Sequence, residues 1–543
     1  MGKREEGLPT KGGLQVASRG VKTEAMKDLD LSADFPIPTH DEWASRAEKA
    51  LKGVSLAKLT RMSRDGIAIK PLYSPGQRPA IAAREGGLAW KVVQRVDMAD
   101  ASQANRQALE DLSQGATGLA IDLARVDASK LDVILKDVAL HAIHLRFEGE
   151  IDVSDGLMRL CEAQAINPER LDVALSLPSA SLAKKMRAQD FTGPLLLADG
   201  RKFHNEGASE AQELGFSLAQ AIDHLRAMDG DAAAVHFALS ASPDMFLTLA
   251  KFRAARLLWA RVLEASGLAP SPLHLHGETS LWHMSLTDAH VNMLRAVAGV
   301  FGAGLGGADS QSVLPFTYLT GEADDFARRM ARNAQIILLE ESHLHAVQDP
   351  AAGSGYMEAL SLELCEKAWG LMQQAEKQAD VKALIAASAQ AQIEQVAKRA
   401  LALTGTSEFP NLADDVPEDH GPLRLATAFE ALRRRAQKAK PEVRLINLGR
   451  LADHSARSLW TQNLLAAGGI RVGSEASSVV VLCGSDETYE TQAAEVIAKL
   501  QGEGVEHIWI AGKFTAQGAE RFYAGMNVIE LLERMHQQLG VGR

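Results

Sequence analysis

Cysteine and tyrosine are scarce in this sequence, with three and five respectively among 543 residues. Cys161, Cys365 and Cys483 stand far apart with no C-x-x-C spacing, which leaves no disulfide framework or thiolate metal site and suits a reducing compartment. No uninterrupted apolar run approaches the roughly 18 residues that a membrane helix needs. The opening MGKREEGLPTKGG has no apolar core, so no secretory leader is expected. A basic block is missing too, and the net charge of −11 argues against nucleic acid as a partner. The expectation is a cytoplasmic chain that binds neither membrane nor nucleic acid.

What is present is apolar patterning on a large scale. Hydrophobic residues make up 46 %, and 543 residues exceed a single core, which predicts two or three domains. Residues 1–33 are polar and weakly patterned and are expected to form an N-terminal arm. Pro36 and Pro38 then lead into an amphipathic helix with Trp43, Ala47 and Leu51, ended by Gly53. From about residue 88, short apolar runs alternate with helical segments. The runs are Ala89–Val96, Gly118–Leu123, Ile143–Phe147, Asp172–Leu177, Pro194–Ala198, Ala234–Leu239, Leu273–His276 and Ser312–Phe316. Eight buried strands with intervening helices suit a parallel barrel, although a doubly wound sheet fits the same alternation. In a barrel the chemistry belongs to the loops after the strands' C-terminal ends.

Further on, Phe326, Met330, Ala334, Ile337 and Leu338 recur at spacings of three and four, which predicts a core helix with that face inward. Arg328, Arg329 and Arg332 lie off that face, available to carboxylates or to a partner surface. Residues 401–441 hold Pro410, Pro417 and a Gly421-Pro422 break and are expected to be a linker with one basic amphipathic helix. Its Arg433–Arg435 run is expected on a solvated or interface face. The last hundred residues carry the strands Val443–Gly449, Ser477–Gly484 and His507–Gly512 between helices, a βα repeat that binds at strand ends in the flavodoxin-like manner.

Several stretches then carry a resemblance. They are DFPIPTHDEWASRAEKALKG (Asp34–Gly53), DGIAIKPLY (Asp65–Tyr73), LAKFRAARLLWARV (Leu249–Val262), LTDAHVNMLRAV (Leu286–Val297), DDFARRMARNAQIILLEESHLHAVQDPAAGSGYME (Asp324–Glu358) and RLATAFEALRRRA (Arg424–Ala436). In this order they resemble the adenosylcobalamin-dependent acyl-CoA mutases, the methylmalonyl-CoA mutase family, whose members carry FARRxARNxQxxLxEES…DPxxGSxYxExL at the longest of them. The resemblance covers residues 34 to 543 and favours the barrel. It implies an α/β protein: a (β/α)8 TIM barrel over residues 34–400, a linker and helix over 401–441, and a flavodoxin-like, cobalamin-binding-type domain over 442–543.

Three places depart from the family's chemical pattern. The family loop SGYHxQEAGA appears here as DGRKFHNEGA (Asp199–Ala208), with Arg201 and Lys202 where the substrate-contacting Tyr-His pair stands. Neither cation has the shape of an aromatic wall or the tautomeric chemistry of imidazole. His204 is two positions off register and is expected to be solvent-facing or structural. After Pro71-Leu72-Tyr73, the family's tyrosine-rich stretch is missing, and FGAGLGGADSQSVLP (Phe301–Pro315) replaces a Thr-Gln-Ser-Leu-His string. Gly302, Gly304, Gly306 and Gly307 are expected to allow close packing rather than to cradle a phosphate. In the C-terminal domain, the family's DxHxxG, which ligates cobalt, aligns with Leu451, Asp453 and Ala456, and His454 is one residue out of place. Gly512 stands alone where cobalamin binders have a glycine pair.

The resemblance therefore implies a small, non-catalytic subunit of a heterodimeric mutase, with no catalytic, cofactor-binding or metal-binding residue on this chain. Adenosylcobalamin and the interconversion of (R)-methylmalonyl-CoA and succinyl-CoA would belong to the large catalytic partner, and acyl-CoA would be met only through the complex. Two alternatives are a self-sufficient mutase using shifted His204 and His454, and a CoA-ester-binding assembly factor using Arg201 and Lys202 against phosphates.

Overall fold

A computed structural model describes residues 38–75, 81, 84, 87–321, 323–473 and 475–542. The expected arm at 1–33, and residues 76–80, 82–83 and 85–86 of the segment where the tyrosine-rich stretch is missing, lie outside the described residues. Two compact units part between Thr60 and Arg61. The first contains the helix His40–Ala50, opened by a capping box in which Thr39 and Glu42 satisfy each other's backbone N–H groups.

The second unit is built on two parallel sheets. The larger has strands β1 (Lys91–Val96), β2 (Gly118–Asp122), β3 (His144–Glu148), β4 (Asp172–Ala174), β5 (Leu196–Asp199), β6 (Val235–Ala241), β7 (His274–Thr279) and β8 (Ser310–Ser312). They pair in the order β4-β3-β2-β1-β8-β7-β6-β5, every neighbour parallel. The two ends of that order meet, because Leu175 N–H donates to the Pro194 carbonyl at 2.9 Å and Leu177 N–H to that of Leu195 at 3.0 Å. The sheet thus curls into a (β/α)8 barrel. Gly193 lets this seam close, since a Cβ there would stand 2.4 Å from the Val173 carbonyl oxygen. Strands such as β2 and β6 are buried along their whole length, as parallel strands sandwiched between helices and barrel contents must be. Seven strands overlie the apolar runs of the sequence closely; the eighth, expected over Ser312–Phe316, lies two residues earlier.

Long helices shield the barrel, among them Glu210–Ala227, Met245–Ala265, Val291–Leu305 and Gly355–Glu376. The glycines closing Val291–Leu305 let it approach its neighbours. A Cβ would stand 2.7 Å from the Met245 carbonyl at Gly302, 2.8 Å from the Trp90 ring at Gly304 and 2.7 Å from Phe252 at Gly306. They serve packing.

The helix Asp325–Ile336 is rotated from its expected setting. Its buried residues are Ala327, Arg328, Ala331, Arg332 and Gln335, while Phe326 and Ile337 are 45 % and 48 % exposed. Buried partners explain the rotation. Arg328 donates to Asp97 at 2.7 Å, Arg332 to Asp111 at 2.5 Å, and Gln335 accepts from the Trp90 indole N–H at 3.2 Å. A hydrogen bond to a charged group contributes about 1.5–3 kcal/mol, comparable with burying a Phe or Ile. Leaving Asp97 and Asp111 buried without partners would add a further cost, so the arginines take the inward face.

The smaller sheet has strands β9 (Glu442–Asn447), β10 (Arg471–Val472), β11 (Val479–Cys483), β12 (His507–Ala511) and β13 (Glu520–Phe522). Its order β10-β9-β11-β12-β13, all parallel, is flavodoxin-like. The helix of the connecting segment, Thr427–Ala439, corrects a second expectation. Arg433 is buried and donates to the Asn411 carbonyl at 2.8 Å, Arg434 donates to that of Pro417 at 3.0 Å, and Arg435 pairs with Glu533 at 3.3 Å. Arg433 is thus turned inward instead of facing solvent, while Arg434 and Arg435 stay partly exposed on bonds within the chain.

Replacing Gly304 with alanine is expected to destabilise the chain by about 1–3 kcal/mol through overpacking against Trp90. A urea midpoint that falls at constant m-value would register this, and an unchanged midpoint would refute the packing role.

Candidate functional site: a charged plug at the barrel mouth

Alternation along a strand puts every second side chain on one face. Arg146 and Glu148 in β3, and His276 and Glu278 in β7, therefore point together into the barrel, toward Arg95 from β1, Asp122 from β2 and Asp199 from β5. They meet at the strands' C-terminal ends. Arg95 donates to Asp122 at 2.7 Å, Glu148 at 2.9 Å and Glu278 at 2.7 Å. Arg201, in the short helix Gly200–Asn205, donates to Glu148 at 2.8 Å and to Asp199 at 2.8 Å and 3.1 Å, and lies 3.3 Å from Glu278. Tyr318 lies over the mouth with the guanidiniums of Arg95 and Arg125 each 5.9 Å from its ring centre.

Four carboxylates and three guanidiniums share this space almost out of water. Burial alone would raise the Glu148 pKa, but Arg201, Arg95 and Arg146 outweigh it and hold the carboxyl well below its usual range. Arg146 is the less well-paired cation, with Nε 3.7 Å from Glu148. Burial, opposed by Glu148, brings it down to about 10, so it stays charged at neutral pH. Glu148, His276 and Glu278 each offer one ligand atom within 4.8 Å of the others, a spacing that could hold a metal ion. Here the guanidiniums of Arg95 and Arg201 take the carboxylate oxygens, so this arrangement neutralises itself.

Arg201 is thus consumed by its own fold, and Lys202 beside it is exposed and paired with Glu150 at 2.9 Å. His204 is fully buried and not solvent-facing: its Nε2 lies 2.7 Å from Ser280 Oγ and its Nδ1 3.2 Å from Glu213, the latter a contact rather than a well-aligned hydrogen bond. Glu213 is also bound by Lys251 and accepts from Ser240 N–H at 2.6 Å. The sequence reasoning found Arg201 but missed Arg95, Asp122, Glu148 and Glu278. Their signal was the charge at i, i+2 spacing at strand ends, as in His144-x-Arg146-x-Glu148.

The second place where chemistry would sit is the crevice at the carboxyl ends of β9 and β11, where the strand order reverses. Arg457 fills it. Its guanidinium donates to the Gly484 carbonyl at 2.5 Å and to Asp486 at 2.6 Å, and stacks 5.4 Å over the Tyr489 ring. The Tyr489 hydroxyl accepts from Gly484 N–H at 2.8 Å and lies 3.0 Å and 2.9 Å from the carbonyls of Leu482 and Ala511. A Cβ on Gly512 would stand 3.1 Å from Arg457. Asp453 caps the helix Leu451–Ala467 by accepting from Arg450 N–H at 2.8 Å, and His454 lies in that helix's first turn. Among the described residues His454 Nδ1 has no hydrogen-bond partner, so no carboxylate orients that nitrogen.

A barrel followed by a flavodoxin-like domain, with both strand-end sites filled by the chain's own cations, is the scaffold of an acyl-CoA mutase with altered stations. Comparison with known proteins agrees. A family model described as Methylmalonyl-CoA mutase matches residues 195–408. The methylmalonyl-CoA mutase small subunit of Streptomyces virginiae is 33 % identical, covering 94 % of this chain and 98 % of the relative. The probable small subunit of Mycobacterium tuberculosis H37Rv is 32 % identical over 89 % of this chain and 93 % of its own, and that of Propionibacterium freudenreichii subsp. shermanii, named a methylmalonyl-CoA mutase small subunit, 28 % over 95 % and 97 %. The chain belongs to the methylmalonyl-CoA mutase family.

Arg201→Met strands the charge of Glu148 and Asp199 and is expected to cost about 3–5 kcal/mol; a denaturation midpoint close to wild type would show the plug to be dispensable.

Acidification offers a second check. Burial, reinforced by Arg146 at the last two, holds the imidazoles of His204, His236 and His276 below the ordinary 6.5. The unfolded chain therefore binds more protons below that pH, and stability present above 6.5 is lost as the pH falls. Asp65 works oppositely: burial, then Glu210, pushes its carboxyl up to about 6, so its contribution is full below its unfolded value of 3.8 and lost as pH rises through 6. Burial likewise lowers His224, His274, His283 and His536, and these imidazoles together outnumber the raised carboxyls Asp65, Asp111, Asp244 and Glu430, so Tm is expected to fall between about pH 7 and about pH 5, and less steeply in His276→Gln. A Tm that rises on acidification would contradict this balance.

Proposed function

We propose that this chain is the small, non-catalytic subunit of a two-chain methylmalonyl-CoA mutase in the cytoplasm. Its larger partner binds adenosylcobalamin and interconverts (R)-methylmalonyl-CoA and succinyl-CoA by a carbon-skeleton radical shift, while this chain supplies a stable contact surface. The observation that carries the reading is Arg201: at the position where catalytic chains of the family present an aromatic wall and an imidazole, a buried guanidinium is held by Glu148 and Asp199. Relatives that match along almost their whole length are named small subunits, which supports the same reading. Among the described residues no helix is long and apolar enough to cross a membrane.

Neither alternative gains support from the geometry. A self-sufficient mutase would need His204 and His454, yet the first is locked between Ser280 and Glu213 and the second belongs to a helix. A CoA-phosphate site at Arg201 and Lys202 would have to displace their own carboxylates.

Purified alone, the chain is expected to show no corrinoid absorption after incubation with adenosylcobalamin, no mutase activity and no calorimetric signal with acyl-CoA. Co-purified with the larger subunit, it is expected to form an active complex. Activity or cobalamin retention by the lone chain would overturn the assignment.

A further inference from the structure

The connecting segment after the barrel runs beside the helix Leu451–Ala467 and the edge strand β10, and together they enclose a groove of about 530 Å³. Phe409, Leu412, Ala466 and Val472 give it an apolar lining, and Arg471 is the one charged side chain lining it; among the described residues Arg471 donates to the Leu412 carbonyl at 3.4 Å and makes no ion pair, although Asp414 and Asp415 line the adjoining cavity with it. The groove adjoins the start of β10, at the opposite end of the sheet from Arg457 and the strand-end crevice.

Three features show that this surface is presented rather than merely exposed. Phe409 is 76 % exposed although its φ is +52°, a left-handed setting that a bulky residue adopts only when its surroundings enforce it. They do so here: Phe409 N–H donates to Asn463 Oδ1 at 2.7 Å, the Asn463 amide is bound by Glu408, and Glu408 pairs with Arg399 at 2.5 Å. Leu459, 67 % exposed, lies one turn before Gln462 and Asn463 on the same helix face and extends the apolar strip beyond the groove. Finally, the N–H groups of Arg471 and Gly473 donate inward to Pro441 and Val443, so alternation turns the N–H and C=O of Val472 toward the open sheet edge.

We propose that this groove is a docking site for the larger mutase subunit. It fits an extended segment carrying a bulky apolar side chain beside a carboxylate: the apolar chain lies against Phe409, the carboxylate meets Arg471, and the backbone pairs with Val472 as an added strand. The exposed Arg471, which makes no ion pair among the described residues, and the outward-turned backbone of Val472 select this occupant over a purely apolar one. The proposal rests on the small-subunit reading.

Affinity of the full-length chain for the purified larger subunit tests it, with Phe409→Ser, Ala466→Arg and Arg471→Glu compared against wild type. All three sites are exposed or half-exposed, and thermal unfolding of each lone variant is expected to match wild type. Each is expected to raise Kd at least tenfold. Wild-type affinity in all three would overturn the docking site while leaving the small-subunit reading standing. No binding by wild type itself would sink that reading and the site with it. A dimer of the lone chain that Phe409→Ser dissolves would make a second copy the occupant and also overturn the proposal.

Discussion

The bond between Arg201 and Glu148 is the constraint around which the barrel is arranged. Taking several charges out of water at the strand ends is costly, and attraction between them repays that only when every lone pair and N–H finds a partner. The mouth goes most of the way to this condition with alternating signs, Asp122 and Glu148 around Arg95, then Asp199 and Glu278 around Arg201, while the Nε atoms of Arg95 and Arg146 are left without a hydrogen-bond partner. Polar groups are thus admitted to an interior that would otherwise be closed by aliphatic side chains. The guanidinium of Arg201 spends its bonds on Asp199 and Glu148 and lies beside Glu278.

The same logic recurs in the C-terminal domain, on a different fold. Arg457 spans the crevice between β9 and β11, bound to Gly484 and Asp486 and stacked on Tyr489. In both places the fold has kept its architecture and a cation of its own fills the space that strand-end loops leave open.

The strands were legible because parallel strands covered on both sides must be apolar in nearly every position, and runs such as Gly118–Leu123 stand out from their helical flanks. What escaped was the content of the barrel. Arg95 sits inside an apolar run and Glu148 and Glu278 just past the ends of two others, and periodicity says which face they share but not that they converge from three separate strands. The helix after Asp324 misled for a related reason. Its apolar stripe is regular, yet Asp97 and Asp111, distant in sequence, decide which face turns inward. Arg433 looked solvated because the carbonyls that bind it belong to a segment without regular structure. His204 was recognised as lacking a catalytic register, but its burial against Ser280 and Glu213 depends on contacts across the barrel that no local pattern encodes.

The seam of the barrel gives the plug a mechanical meaning. Between β4 and β5 the hoop is joined through the two donors Leu175 and Leu177 alone, and Gly193 thins it further by bringing bare backbone against Val173. Glu148 ends the strand before β4, and Arg201 follows the strand after it. Their bond therefore reaches across the weakest staves like the clasp of a bracelet, and the charges that pair at the mouth also keep the ring from springing open.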